Sequence, residues 1–427
     1  MDTRIVRIRV LPLVITAIVA GCTPAAGPSS SPSPSNVETP SASPAPTSAS
    51  PPTSSPTEAQ TGWQSAGKMD FPRLGWRSAL LTGGQVLVVG NQACVAAGEP
   101  TGSERAEIYD PTAGAWAQVD SLNKERADPA LVALQDGRGM VLGGTNAQSE
   151  PYSSTKFFSP GDATWSDGPL MDRAGSTQAV TLPDGSVLAV GRARAETLRK
   201  GSDAWRRSTP LPATLDPERL LLLSTGEVVA FAGLVDPTAG DAALMRFVAA
   251  DDAWESIEAP SVLRPIPIAI ADGSMLAFGD DEGGARVQRY DPASATWFDP
   301  AQMATGRVRS QIALLHDGRV LVAGGVPLTS KAVDGGYSVT EGPALTSTEI
   351  YDPSADTWTA GPELLEARQG GDAITLTDGS VLVFGGYTET PKEQPSPDTG
   401  TPGPCPEPLA TSELAATPAS RGQDLGK

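Results

Sequence analysis

Seven tryptophans pace this chain. They stand at positions 63, 116, 165, 205, 254, 297 and 358, at intervals of 53, 49, 40, 49, 43 and 61 residues. A short apolar run, a two-residue turn and a second apolar run fall at a matching place in each interval. The turns are Gly83-Gly84, Asp136-Gly137, Asp184-Gly185, Thr225-Gly226, Asp272-Gly273, Asp317-Gly318 and Asp378-Gly379. An Asp-Gly pair tolerates positive φ and favours a tight two-residue hairpin. The clearest copy is 307–358, where 310–315 and 319–323 form the hairpin and Gly324-Gly325 closes it. Missing side chains there let backbone or a large ring come close. A long polar loop follows, then a third strand at 347–351 that stops at Tyr351-Asp352-Pro353, because proline cannot continue a ladder. Trp358 opens a fourth strand. The unit is four-stranded, antiparallel and about fifty residues long, and a chain built of such units folds as an array.

The pattern wears unevenly. Tyr-Asp-Pro is intact at Tyr109, Tyr290 and Tyr351, degraded at Phe158-Ser159-Pro160, and lost near 198 and 248. The glycine pair survives at Gly143-Gly144, Gly324-Gly325 and Gly385-Gly386, with one glycine in the other copies. These residues resemble Kelch repeats, the β-propeller family that also supplies the central domain of galactose oxidase. The resemblance covers 62–420. It implies an all-β, seven-bladed Kelch-type propeller with four antiparallel strands per blade. The seventh blade has strands at 372–377, 380–384 and near Ala410–Ala415, but no tryptophan follows. Gly62-Trp63-Gln64-Ser65 opens the chain where a fourth strand would begin, so the N-terminal strand is expected to close the last blade.

The front of the chain is of another kind. Arg4, Arg7 and Arg9 precede an apolar stretch, Val10 to Ala20, too short to span a bilayer. Val19-Ala20-Gly21-Cys22 resembles the lipobox of bacterial lipoproteins, which implies a signal peptide over 1–21 and a lipid on Cys22. The expected address is the extracytoplasmic face of the cell membrane. Residues 22–61 are rich in Ser, Pro, Thr and Ala, with acidic Glu38 and Glu58 and no basic residue, and read as a disordered spacer. At about 3 Å per residue the spacer reaches roughly 100 Å. A short tail covers 421–427. Loss of 1–21 removes three Arg and one Asp, taking the net charge from −19 to −21. So acidic a chain is repelled by nucleic acid.

Catalytic signatures are sparse. The one histidine, His316, sits at a hairpin turn. The copper site of galactose oxidase uses two His and two Tyr, so its oxidase chemistry is not supported. No G-x-S-x-G or H-E-x-x-H occurs, and no cofactor or metal is implied. Asp280, Asp281 and Glu282 offer oxygen atoms of the kind calcium takes, but lack the spaced D-x-D-x-D pattern. Cys94 and Cys405 both fall between second and third strands, in blades that closure makes neighbours. Outside the membrane they are expected to pair as a disulfide.

One pattern departs from the acidic background. Ten residues ahead of four of the turns stand Arg73, Arg126, Arg307 and Arg368, with Arg173, Arg264 and Arg309 close to the same register. Trp76 lies outside the tryptophan register, ahead of the first inner strand. These eight residues are the candidate binding set, on the face that carries the long loops 91–104, 326–346 and 387–410. The guanidinium fork suits carboxylate or sulfate. The expected function is a non-catalytic binding or scaffold module for an anionic peptide or glycan of the envelope. Two alternatives stay open: a carbohydrate-active enzyme using pore-lining carboxylates, and a purely structural envelope protein.

Overall fold

A computed structural model describes residues 62–73, 76–90, 103–146, 148–172, 177–234, 243–281, 284–333, 336–388 and 408–416. Cys22, Cys94, Cys405, Arg173 and Glu282 lie outside the described residues, and so do the lipid anchor and the disulfide expected of those cysteines. The described regular structure is all β, in seven antiparallel sheets. Six have four strands each, and the seventh carries an added hairpin. In chain order the blades span 77–119, 130–167, 178–208, 215–257, 263–298, 311–360 and 372–415. The strand Trp63–Lys68 lies on Thr411–Ala415, with Trp63 opposite Ala415.

Burial explains the apolar runs. Val86–Val89, Gly139–Leu142, Val187–Gly191, Val320–Ala323 and Val381–Phe384 are second strands of their blades and are buried throughout. Both faces of such a strand are covered, one by each neighbouring blade, so alternation gives way to continuous hydrophobicity. A fully buried Val or Leu contributes about 1.5–3 kcal/mol. Inner strands are also tied across blades: the Thr181 hydroxyl donates to Ala133 O at 2.7 Å and the Thr375 hydroxyl to Leu314 O at 2.7 Å.

The tryptophans join blade to blade through their indole N–H groups. Trp165, Trp205, Trp254, Trp297 and Trp358 donate to the carbonyls of Asp120, Pro169, Thr209, Glu258 and Ala301, at 2.7–3.1 Å. Each acceptor lies on the stretch leaving the preceding outer strand. Trp63 does the same to Pro362 O at 3.0 Å. Within a blade, the aromatic of the third strand packs on the same ring, as in Tyr351–Trp358 with centroids 5.0 Å apart.

Two expectations are corrected. The turns are not two-residue loops. Leu315 N donates to Arg319 O and Gly318 N to Leu315 O, so His316, Asp317 and Gly318 form a three-residue loop. Only the glycine has positive φ, 86°, the pattern of a type I turn followed by a glycine bulge. Asp317 earns its place differently, its Oδ1 accepting the Arg319 N–H at 3.1 Å. The second correction concerns 326–346, read as a polar loop. It contains a hairpin, Val326–Val333 with Gly336–Glu341, whose first strand bridges to the fifth blade at Gly284 and to Arg307–Val308.

Candidate functional site

The four register arginines are inside the protein. Arg73, Arg126, Arg307 and Arg368 are at most 3% exposed. Arg368 Nη1 donates to Gly385 O and Thr411 O, at 3.0 and 3.2 Å, and Nη2 to Glu413 Oε1 at 2.7 Å. Arg307 repeats the set with Gly324 O, Ser347 O and Glu349, and Arg73 with Gly90 O, Arg105 O and Glu107. Arg126 reaches Gly143 O, Ser154 O and the Ser154 hydroxyl. Each arginine therefore ties the glycine end of its own second strand to the start of the third. The acids hold the preceding connector as well, since Glu413 accepts the N–H groups of Leu365 and Glu366. These four residues are struts within a blade, their Nη groups engaged and only the Nε groups of Arg126 and Arg368 lacking a partner among the described residues, and the expectation that they present charge to a partner is corrected.

The other members of the set scatter. Trp76 is 8% exposed, wedged against Phe384 at 6.1 Å between centroids. A Cβ on Gly385 would stand 2.3 Å from its ring, so the glycine pair does admit a large aromatic. Arg309 has φ 55° and is held by Glu341, at 2.9 and 2.5 Å, and by Gln369 at 2.8 Å. It is thereby engaged in pinning the added hairpin. Arg264 lies on the strand Leu263–Ala269, and its side chain is outside the described residues. Asp280 is buried, and among the described residues no three His, Cys, Asp or Glu stand together as a metal site.

What the inner strands do build is a cavity of about 520 Å³ on the channel axis, at the end where those strands begin. Arg77 and Ser78 come from the first blade, Gln178 from the third, Glu218 and Arg219 from the fourth and Asp372 from the seventh. Arg219 is aimed there by a β-bulge between Pro217 and Arg219, which gives Glu218 no opposite number on the partner strand. Among the described residues no hydrogen bond or ion pair holds the Arg219 guanidinium. Arg77 makes only a loose pair with Asp128 at 3.7 Å and donates to Trp76 O at 3.2 Å. Asp372 accepts from the Ser78 hydroxyl across the gap between the seventh and first blades.

The electrostatics follow from crowding. Burial and then the neighbouring positive charge of Arg77 lower the pKa of Arg219. Burial raises that of Asp372, against the opposing pull of Ser78 and the two arginines. A carboxyl whose pKa is raised by folding loses stability as pH climbs from the ordinary aspartate range, near 3.9, through its folded value. Asp372→Asn should therefore raise the melting temperature at pH 7. The gain should vanish below about pH 3.9, where both forms of the position are neutral. Equal loss of stability at both pH values would show that the Ser78 contact outweighs the buried charge.

These channel residues were missed as a site because their types differ, although their positions do not. Arg77, Gln178, Arg219 and Asp372 each stand six residues ahead of the first residue of their turn. Ala130, Ile266 and Gln311 occupy the same place in the other copies. Counting the repeat would have found the ring. Nothing in one dimension announces the bulge that turns Arg219 inward.

No family model matches the chain. A stretch of 105 residues, 24% of the chain, is 31% identical to the Kelch-like protein terF of Aspergillus terreus. A longer stretch of 297 residues, 67% of the chain, is 23% identical to Kelch-like protein 36 of Bos taurus. The matches span 21% and 40% of those relatives' own lengths. Among solved structures, a fungal alcohol oxidase of the AA5 family, described in complex with copper, superposes with a TM-score of 0.59 at 15% identity. The match covers 84% of this chain and 77% of that one. The residues here do not fit a histidine-held copper centre: the single imidazole, His316, is exposed at a turn, at the opposite end of its inner strand from the cavity. Repeat pattern, sheets and comparisons agree: the chain folds as a β-propeller, and its repeats are similar to those of Kelch-like proteins.

Proposed function

We propose that the protein is a binding and scaffold propeller, without catalysis of its own, that recruits an anionic partner at the channel mouth on the loop-bearing face. In this reading the chain is held by a lipid on Cys22 at the outer side of the cell membrane, and the partner is an envelope protein with an acidic segment. The observation that carries it is Arg219, a guanidinium lining the cavity beside Arg77 that no hydrogen bond or ion pair holds among the described residues. In a chain of net charge −19, this exposed guanidinium keeps its hydrogen-bond donors available to an anion. Relatives named Kelch-like for the same repeat support a propeller reading. The carbohydrate-enzyme alternative would build on Asp372 and Glu218, which share the cavity.

The test is binding of the purified mature protein to poly-L-glutamate and to polygalacturonate at low and high salt. Poly-L-glutamate should bind, with affinity falling as salt rises. Arg219→Ala should weaken it about tenfold, the value of roughly 1.4 kcal/mol for a charged contact. Arg199→Ala, on the opposite face, should not. In cells Cys22→Ala should leave the membrane fraction. Arg219→Ala binding like the parent would remove the mouth as the docking site. A preference for polygalacturonate would move the partner to a glycan, and its cleavage, abolished by Asp372→Asn, would move the reading to an enzyme.

A further inference from the structure

The cavity at the mouth has a neighbour along the inner strands. Beside it lies a second space of about 420 Å³, which shares Ser78 and Asp372 with the first and adds Thr375 and a set of aliphatic side chains. Leu80, Ile268, Ile312, Leu314 and Ile374 line it and are only partly buried, so hydrocarbon faces the lumen from the first, fifth, sixth and seventh blades. The channel thus has a charged collar beside a shaft to which five aliphatic side chains contribute. The collar carries Arg77 and Arg219 against Glu218 and Asp372, two charges of each sign.

Opposite charges share the collar, yet among the described residues none holds the Arg219 guanidinium by a hydrogen bond or an ion pair. The two arginines repel each other, and an anion between them would relieve both. Asp372 accepts from Ser78 and from the Ala373 N–H at 2.9 Å, and a carboxylate has about four acceptor sites, so capacity remains for a cation. Apolar surface held in a wet lumen is itself a cost that a hydrocarbon group would offset. A simple anion leaves the remaining acceptor capacity of Asp372 unused, and a neutral aliphatic leaves the Arg219 donors unused.

We propose that the channel binds a small zwitterion, an α-amino acid with an aliphatic side chain. Its carboxylate sits between Arg77 and Arg219, its ammonium group on Asp372, and its side chain runs down the shaft past Leu80 and Ile374. The proposal rests on the reading of Arg77 and Arg219 as an anion site and adds the chemistry of a small ligand to it.

Calorimetric titration of the mature protein separates the terms. The probes are L-leucine, 4-methylpentanoate, which lacks the ammonium group, and leucinamide, which lacks the carboxylate. Poly-L-glutamate serves as the probe of the mouth alone. Leucine should bind, and both analogues at least about tenfold more weakly. In Asp372→Asn the affinity for leucine should fall to that for 4-methylpentanoate, with the latter no weaker than in the parent. Arg219→Ala should lose both. If 4-methylpentanoate equals leucine in the parent, the zwitterion proposal fails while the anion site stands. No leucine binding alongside binding of poly-L-glutamate sinks the channel ligand and spares the partner reading, and binding of neither sinks both.

Discussion

Arg368→Ala should cost the protein about 3–5 kcal/mol, read as an early urea midpoint with the slope unchanged. The guanidinium is fully buried, and its removal strands the Glu413 carboxylate, which is 2% exposed. Glu413 would keep the N–H groups of Leu365 and Glu366, at 2.6 and 3.2 Å, but no counter-charge. The Gly385 carbonyl would lose its Arg368 donor in the same step, and the Thr411 carbonyl would keep the Gly385 N–H. Adding Glu413→Gln to the alanine variant should restore part of the loss, because the penalty lies in the uncompensated charge. Arg368→Lys should fall between, since an ammonium cannot reproduce the fork. A change within about 0.5 kcal/mol, the range of ordinary surface substitutions, would contradict the strut and return Arg368 to the surface.

Truncation before Thr411 should do more, abolishing a cooperative transition. Thr411–Ala415 lies between Val381–Phe384 and Trp63–Lys68, so its loss unpairs both neighbours at once. Two strand edges, the apolar one of Val381–Phe384 and the mixed one of Trp63–Lys68, are then left unpaired. The Ser412 hydroxyl that accepts from the Trp116 indole at 2.9 Å goes too, releasing the first blade. Deleting 23–55 should leave the melting curve where it was. Similar melting of the two deletions would contradict this placement of Thr411–Ala415.

Which parts of this were visible in one dimension depends on how far apart the partners stand. The tryptophans and turn glycines announce the repeat because each performs a local task in nearly every copy. Gly318 supplies its own φ, and Trp358 meets Tyr351 within one hairpin. The arginine register was equally visible, but its meaning was not. Arg73, Arg307 and Arg368 find their acids 34, 42 and 45 residues away, on third strands where Glu107, Glu349 and Glu413 look like ordinary polar positions. Spacing reveals that a residue recurs; only burial reveals that it is spent on the fold. The hairpin within 326–346 was hidden by its polarity, because a strand laid over a blade needs no apolar alternation of its own. The channel collar needed two further facts, that inner strands begin at one end and that a bulge redirects the fourth. The first can be counted from the turns, and the second requires coordinates.

The pairing of Trp63 with Ala415 also sets an order of events in time. A chain grows from its N-terminus, so the strand that closes the last blade is made first and its partner last. Through most of synthesis Trp63–Lys68 has nowhere to lie, while blades with all four strands in sequence can assemble behind it. Bringing ends so distant together adds a closure entropy that grows only as the logarithm of the intervening length, so the final join is late rather than forbidden. Until residue 415 has been made, the nascent protein is an open arc with a tryptophan-bearing strand to spare, and that interval is when it most needs protection from pairing with another copy of itself.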